Sequence, residues 1–465
     1  MKSLKPNDII DNSKLDHTEK ARNIRLKIME LVQEYVEEVH GTKEFIPGKT
    51  LIPVSGKVFD YNEVQHLVSA GLDFWLTTGR FNHDFEQKLS KFLNAPFVLT
   101  TNSGSSANLL ALSSLTSEKL GDRSIKSGDE VITVATCFPT TVNPILQNNL
   151  TPVFVDIDHS TFSVDIGLIE QSITEKTKAI MIAHLLGNPY DAYSISKIAK
   201  KNNLWLIEDC CDALGTTLRD KHVGTFGDIG TLSFYPAHQI TMGEGGAVFT
   251  NNSELKRIME SFRDWGRDCF CAPGKNNTCG KRFDWNLGEL PKGYDHKYTY
   301  SETGYNLKIS DMQAAVGVAQ IEKLQYFTKK RQEHFNFLKN RLRTVSDFIM
   351  LPESIPHAEP SWFGFPLIVK SSAPFTKNDL VNFLSSKLID TRPLFAGNIT
   401  KQPYFKNKKF RIFKTLDNTD YVMNNAFWIG TFPGLTLEIL DYVATRIEEF
   451  CLHKKDTLGN AHESI

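Results

Sequence analysis

Between residues 97 and 249, short runs of β-branched and aromatic residues alternate with helical stretches, and this alternation constrains the fold more than any other feature. Neighbouring parallel strands need a crossover long enough to hold a helix, so strand, helix and strand in regular succession imply a mostly parallel sheet with helices on its faces. The runs are 97–100, 130–134, 152–155, 179–183, 204–207, 230–234 and 247–250, which predicts seven strands in one large α/β domain.

Outside that block the pattern changes. Residues 21–40 place Ile24, Ile28, Leu31, Val32, Tyr35 and Val39 at helical spacing between charged residues, the signature of a surface helix ahead of the main fold. Further helices are predicted over 63–70 and 84–93. The stretch 271–305 is long, polar and aperiodic, and a loop of that length in a compact protein usually has a function. A helix from 311 through 324 towards 341, a strand at 363–369 and a helix at 437–451 read as a smaller α+β domain, with 454–465 as a tail. The expected division is an N-terminal extension over 1–55, a large domain over 56–325 with a loop at 269–305, and a small C-terminal domain over 326–465. The basic run 406–414 is expected to be a solvated face.

Composition excludes several classes of function. The 53 Lys and Arg residues against 54 Asp and Glu leave no basic field for nucleic acid or an anionic membrane, and no helix-turn-helix pattern or basic stripe is present. The longest apolar stretch, 179–187, is far too short to span a bilayer. With no secretory pattern at its N-terminus, the chain is expected in the cytoplasm, where its seven cysteines would be thiols or ligands rather than disulfides.

Two places carry chemistry. After the 97–100 run comes Asn102-Ser103-Gly104-Ser105-Ser106-Ala107-Asn108 and then an apolar helix; small residues at a helix N-terminus let N–H groups and hydroxyls close on an anion, although an ordinary serine cap reads the same way. The buried 204–207 run leads into Glu208-Asp209-Cys210-Cys211-Asp212, carboxylates at the strand end where open α/β sheets bind ligands. Ser233-Phe-Tyr235-Pro-Ala-His238 follows, then the glycine-rich Gly243-Glu-Gly245-Gly246.

These stretches resemble the DegT/DnrJ/EryC1 sugar aminotransferase family, vitamin B6 enzymes with the aspartate aminotransferase fold, which is fold type I of the pyridoxal phosphate-dependent transferases. Thr77-Thr-Gly-Arg-Phe, His184-Leu-Leu-Gly-Asn-Pro, Gly304-Tyr-Asn306-Leu-Lys and Phe432-Pro-Gly-Leu-Thr extend the resemblance over nearly the whole chain. It implies that Asp209 pairs with the pyridine nitrogen, Phe138 stacks on the ring, and Gly104, Ser105 and Ser233 hold the phosphate. Asn306 would reach the phosphate of a neighbouring subunit, which implies a homodimer.

The departure from the family lies at His238, where its aminotransferases carry the lysine of the internal Schiff base. Imidazole cannot hold the cofactor covalently, but with an unperturbed pKa of about 6.5 it can take a proton. This substitution resembles the sugar nucleotide 3-dehydratases of the family, which use pyridoxamine phosphate on an NDP-4-keto-6-deoxyhexose. A dead enzyme is the alternative. Cys211, Cys269, Cys271 and Cys279, separated by 57, 1 and 7 residues, match the 2Fe-2S ligand pattern of the branch acting on CDP sugars, which draws electrons from an NADH-dependent flavin and iron-sulfur reductase. A four-cysteine zinc site, or a glutamate-dependent dehydratase with structural cysteines, stays open. So does a non-catalytic descendant.

Cys137, Cys210 and Cys451 match no ligand position and are expected to be buried as small hydrophobes. Asp212 is expected beside the ring, where it changes the cofactor's electronics or forms a salt bridge. Tyr235 contacts the reacting carbon or fills the core, and Arg392 clamps the diphosphate or forms a structural ion pair.

Overall fold

The structure, a computed structural model, describes residues 18–41 and 44–462, from 455 onward as backbone only. The first part of the expected N-terminal extension, 1–17, therefore lies outside the described residues. The principal sheet has eight strands in the order Phe97–Thr101, Gly246–Thr250, Ile229–Ser233, Trp205–Asp209, Thr177–Ala183, Glu130–Val134, Thr151–Val155 and Arg411–Ile412. Five of its pairings are parallel, and the two made by Gly246–Thr250 are antiparallel. All seven expected strands are present within one or two residues of their predicted bounds. Their burial on both faces explains the continuous apolar runs that identified them.

The eighth strand was not expected. Arg411–Ile412 falls inside the basic run read as a solvated face, yet it pairs in parallel with Thr151–Val155 at the sheet edge. The Arg411 guanidinium donates to both carboxylate oxygens of Glu130, at 3.0 and 2.7 Å, and to the Ser172 carbonyl at 2.9 Å. A chain segment from beyond residue 326 thus completes the large sheet. A bidentate pair explains why a charged stretch can sit there.

The remaining strands form a four-stranded antiparallel sheet, in the order Ile349–Met350, Gly364–Val369, Ala426–Gly430 and Arg392–Pro393. A small three-stranded sheet joins Ala358–Glu359 to Thr217–Leu218 and Lys221–His222. The helix expected from 311 towards 341 is two helices, Asp311–Ile321 with a Ser310 and Gln313 capping box, and Leu324–Arg341. The second packs on the smaller sheet, with Phe335 stacked on Trp362 at 3.6 Å. The C-terminal helix Leu437–His462 runs through most of the stretch read as a tail, and residues 463–465 lie outside the described ones.

The N-terminal helix Glu19–Val39 is capped by Thr18, whose hydroxyl accepts from the Ala21 amide at 3.1 Å. It buries Arg25, Met29 and Val36. Arg25 and Arg80 both pair with Asp73, at 2.9 and 2.7 Å, which docks it on the helix Tyr61–Asp73. Among the described residues no helix is long and apolar enough to cross a membrane.

Arg411→Ala is expected to leave Glu130 without its cation and to lower the unfolding free energy by about 1–2 kcal/mol, read as a shift in the urea midpoint with an unchanged slope.

Candidate active site

The strand ends explain where the site lies. Thr101, Val134, Ala183, Asp209 and Ser233 all end strands at the carboxyl edge of the sheet, and the segments leaving them bound a cavity of about 670 Å³. Gly104, Ser105, Phe138, Asp209, Cys211, Asp212, Ser233, Tyr235, His238 and Arg392 line it, so ten of the fourteen residues singled out in the sequence meet in one place.

Asp209 is 4% exposed and tightly held. Its Oδ2 accepts from Asn108 Nδ2 at 2.8 Å and Thr141 Oγ1 at 2.7 Å, its Oδ1 accepts from the Cys211 amide at 3.1 Å, and Asn108 is itself fixed by the Thr231 hydroxyl at 2.6 Å. Among the described residues no cation pairs with it. A buried carboxylate anchored by neutral donors and facing a cavity fits a protonated ring nitrogen brought by a ligand. Asn108 and Thr141 were missed as site residues, although Asn108 lies one helical turn from Gly104 and Ser105, on the same face.

The end of the cavity beside the helix N-terminus is equally specific. Ser103 caps the helix Gly104–Ser114 by accepting from the Ser106 amide at 3.0 Å. A Cβ on Gly104 would collide with Ser233 and come within 3.0 Å of Cys211 Sγ, and one on Gly246 would strike the Ser103 carbonyl. Glycine at both places lets the Ser233 turn close onto the helix N-terminus, which fits a phosphate cradle. Phe138, half exposed, meets Phe395 edge-on at 6.0 Å and presents a ring at the cavity wall.

His238 sits on the turn between strands Ile229–Ser233 and Gly246–Thr250. Burial, reinforced by the Arg331 cation, pushes its imidazole down to about 3. Its Nδ1 makes no hydrogen bond, and Asp212 Oδ1 lies 3.6 Å away, beyond hydrogen-bond length. Asp212 accepts from the Leu186 amide at 3.2 Å, and burial with the nearby Asp209 charge pushes its carboxyl up to about 7. It therefore faces His238 rather than forming a close salt bridge. Tyr235 is half exposed, with its ring 6.5 Å from that of His238, so it is not a buried core residue. Arg392 lies at the mouth, bonded to the Thr391 carbonyl at 2.8 Å and 3.4 Å from Asp390 Oδ2. Phe363 and Trp428 also form the wall, and nothing in their sequence context signalled it.

Four expected residues lie elsewhere. Asn306 bridges to Asp264 and does not line the cavity. Cys269, Cys271 and Cys279 share a small cavity with Arg282, His296 and Lys297, with Cys271 Sγ 2.9 Å from Thr278 Oγ1. Partial burial opposes ionisation of Cys271, but hydrogen bonds from Thr278, the contact with Cys269 and the Lys297 charge together outweigh it and lower that thiol's pKa; burial raises the Cys269 thiol. Cys211 lines the larger cavity, where burial and the Asp209 carboxylate keep it protonated. Three thiols together suit an iron–sulfur ligand set, but the fourth stands apart, and among the described residues no group of three or more His, Cys, Asp or Glu is arranged to hold a metal ion. Cys137, Cys210 and Cys451 are buried as expected.

The depressed His238 pKa has a consequence for stability. The unfolded imidazole takes a proton near pH 6.5 and the folded one only near 3, so a penalty is absent above pH 6.5 and grows as pH falls through that window. His238→Asn removes it, and the variant should lose about 1–2 kcal/mol less unfolding free energy than wild type between pH 7 and pH 5, measured by urea unfolding at each pH.

The chain is 60% identical over 430 residues to the lipopolysaccharide biosynthesis protein RfbH of Salmonella typhimurium, covering 92% of this chain and 98% of that one. It is 48% identical over 433 residues to the dTDP-4-dehydro-2,6-dideoxy-D-glucose 3-dehydratase of Saccharopolyspora spinosa, covering 93% of each. Among solved structures, a GDP-4-keto-6-deoxymannose-3-dehydratase with a trapped PLP-glutamate geminal diamine superposes with a TM-score of 0.76 at 28% identity, over 85% of this chain and 100% of that one. The pattern of one family matches residues 57–448, and with the aminotransferase-type fold the chain belongs to the DegT/DnrJ/EryC1/StrS aminotransferase family.

Proposed function

We propose that this protein is a pyridoxamine phosphate-dependent 3-dehydratase of an NDP-4-keto-6-deoxyhexose, with CDP-4-keto-6-deoxy-D-glucose as its substrate, on the route to 3,6-dideoxyhexoses of lipopolysaccharide O-antigen. The observation that carries this reading is His238 in place of the family's lysine, within a cavity that otherwise keeps the features of a vitamin B6 site. The names of the relatives support it, since two are 3-dehydratases and a third serves lipopolysaccharide biosynthesis.

Pyridoxamine phosphate, when bound, supplies an amine for the C4 ketone and a ring that accepts electrons. Asp209 holds the proton on the ring nitrogen, Phe138 covers the ring face, and Gly104, Ser105 and Ser233 hold the phosphate. His238, neutral through burial and the Arg331 charge, would accept the proton released at the 4′ position of the bound group and pass it to the departing C3 hydroxyl, which then leaves as water. Tyr235 and Asp212 flank the reacting atoms, and Arg392 meets the diphosphate. Asn306 belongs to this scheme through a homodimer, in which it reaches the partner's phosphate site. In this reading residues 56–325 form the cofactor-binding domain, and the small C-terminal domain supplies Arg392 to the sugar nucleotide.

The cysteine spacing adds the second half of the proposal. Cys211, Cys269, Cys271 and Cys279 are the ligand set of a 2Fe-2S cluster with one-electron chemistry, and an NADH-dependent flavin and iron-sulfur reductase is the donor. The separation of Cys211 from the other three favours one rival reading, a dehydratase that uses glutamate and carries structural cysteines.

Iron and acid-labile sulfide analysis of protein purified without oxygen decides between them. About two irons and two sulfides per chain are expected; turnover with glutamate alone and no iron would establish the rival. His238→Asn should abolish turnover while leaving cofactor binding largely intact. Cys269→Ser should spare dehydration and stop reduction, as followed by mass spectrometry of the sugar nucleotide.

A further inference from the structure

One buried side chain ties His238 to the opposite wall of the cavity. Arg331, midway along the helix Leu324–Arg341, is 1% exposed. It donates through one terminal nitrogen to the carbonyls of Trp362 at 3.1 Å and Phe363 at 3.2 Å, and through the other to the carbonyl of His238 at 3.2 Å. Its Nε makes no hydrogen bond, and among the described residues no carboxylate forms an ion pair with it. Taking a guanidinium out of water is costly, and here three carbonyls compensate, helped by the charge of the nearby Asp212 carboxylate. Those carbonyls come from two separate parts of the fold, the turn that carries His238 and the segment entering the smaller sheet.

Neighbouring contacts point the same way. Gln239, next to His238, donates to the Ser361 carbonyl at 2.9 Å, so the turn is pinned twice to residues 361–363. The Phe363 ring lies 5.1 Å from the His238 ring and 5.3 Å from that of Trp428. Trp428 pairs in register with Arg392 and donates to the Pro393 carbonyl at 3.1 Å. A continuous set of contacts therefore runs from Arg331 and His238 through Phe363 and Trp428 to Arg392.

We infer that Arg331 is a positioning residue for the proposed base: it fixes the His238 main chain against the Phe363 segment and so sets the distance between the base and the wall that holds the sugar nucleotide. The inference rests on the reading of His238 as the base. Arg331 does not line the cavity. It acts through placement, and a shift of about 1 Å at a reacting group costs on the order of 100-fold in rate.

The test compares Arg331→Met, Arg331→Lys and, as a control for lost stability, Leu338→Ala, which empties a fully buried position on the same helix. Enzyme loaded with pyridoxamine phosphate is given CDP-4-keto-6-deoxy-D-glucose in oxygen-labelled water, and label entering C3 through reversible loss of water is followed by mass spectrometry beside each variant's Tm. Arg331→Met should lower kcat for exchange about 100-fold with KM changed less than about threefold. Arg331→Lys should recover part of the rate. Leu338→Ala, at a comparable fall in Tm, should keep kcat within about threefold of wild type. In a His238→Asn background Arg331→Met should cost nothing further, because both act on one group. Equal loss of rate in Leu338→Ala and Arg331→Met, or wild-type exchange in Arg331→Met, would overturn the inference. Should Arg331→Met not fold, Arg331→Lys carries the same comparison. Full exchange in His238→Asn would instead remove the base assignment, and this inference with it.

Discussion

The site is organised around one constraint, a carboxylate kept nine-tenths buried at the carboxyl edge of a parallel sheet. Asp209 ends the strand Trp205–Asp209, and its oxygens are committed to Asn108, Thr141 and the Cys211 amide. Each donor comes from a different segment leaving the same sheet edge. Holding the charge in place therefore also fixes the helix Gly104–Ser114 and the helix Pro139–Gln147 relative to the strand. That arrangement leaves the proposed phosphate cradle at one end of the cavity and the Phe138 ring along its wall. Neutral donors orient the carboxylate without cancelling its charge, which is the condition for pairing it with a ligand's cation.

His238 follows a different logic. The turn that carries it joins two antiparallel strands, and glycines bring that turn against the helix N-terminus. In the proposed reading the imidazole stands where the family's aminotransferases carry a lysine, and it exchanges a proton instead of forming a covalent bond. The surroundings keep it unprotonated, since burial and a buried guanidinium both oppose a second positive charge. In the proposed reading an anionic cofactor and a diphosphate substrate would bring negative charge to the same cavity and so raise the affinity of the imidazole for a proton. In that reading, loss of the covalent anchor and gain of a free base are one change.

The seven expected strands of the large sheet were legible because most of them are buried on both faces, which leaves continuous apolar runs alternating with helices. Arg411–Ile412 was not, because an edge strand two residues long, paired through charge with Glu130, reads as a basic surface. Chemistry-bearing residues near strand ends were found because small, acidic and aromatic residues cluster there. Arg331 stands beside Lys329 and Lys330 in a helix that looks solvated, and only packing against the smaller sheet buries it. Phe363 and Trp428 reach the cavity from the second sheet through tertiary contacts that no local pattern records. The cysteine spacing was visible, but spacing along the chain does not say that three thiols share one cavity and Cys211 another.

The most direct test of the dehydratase reading is isotope exchange by the wild-type protein, with neither reductase nor glutamate present. Loaded with pyridoxamine phosphate and given CDP-4-keto-6-deoxy-D-glucose in oxygen-labelled water, it should place label at C3, because loss of water there is reversible until reduction intervenes. An unlabelled C3, with an amino sugar appearing once an amino donor is supplied, would contradict the account and return the protein to transamination.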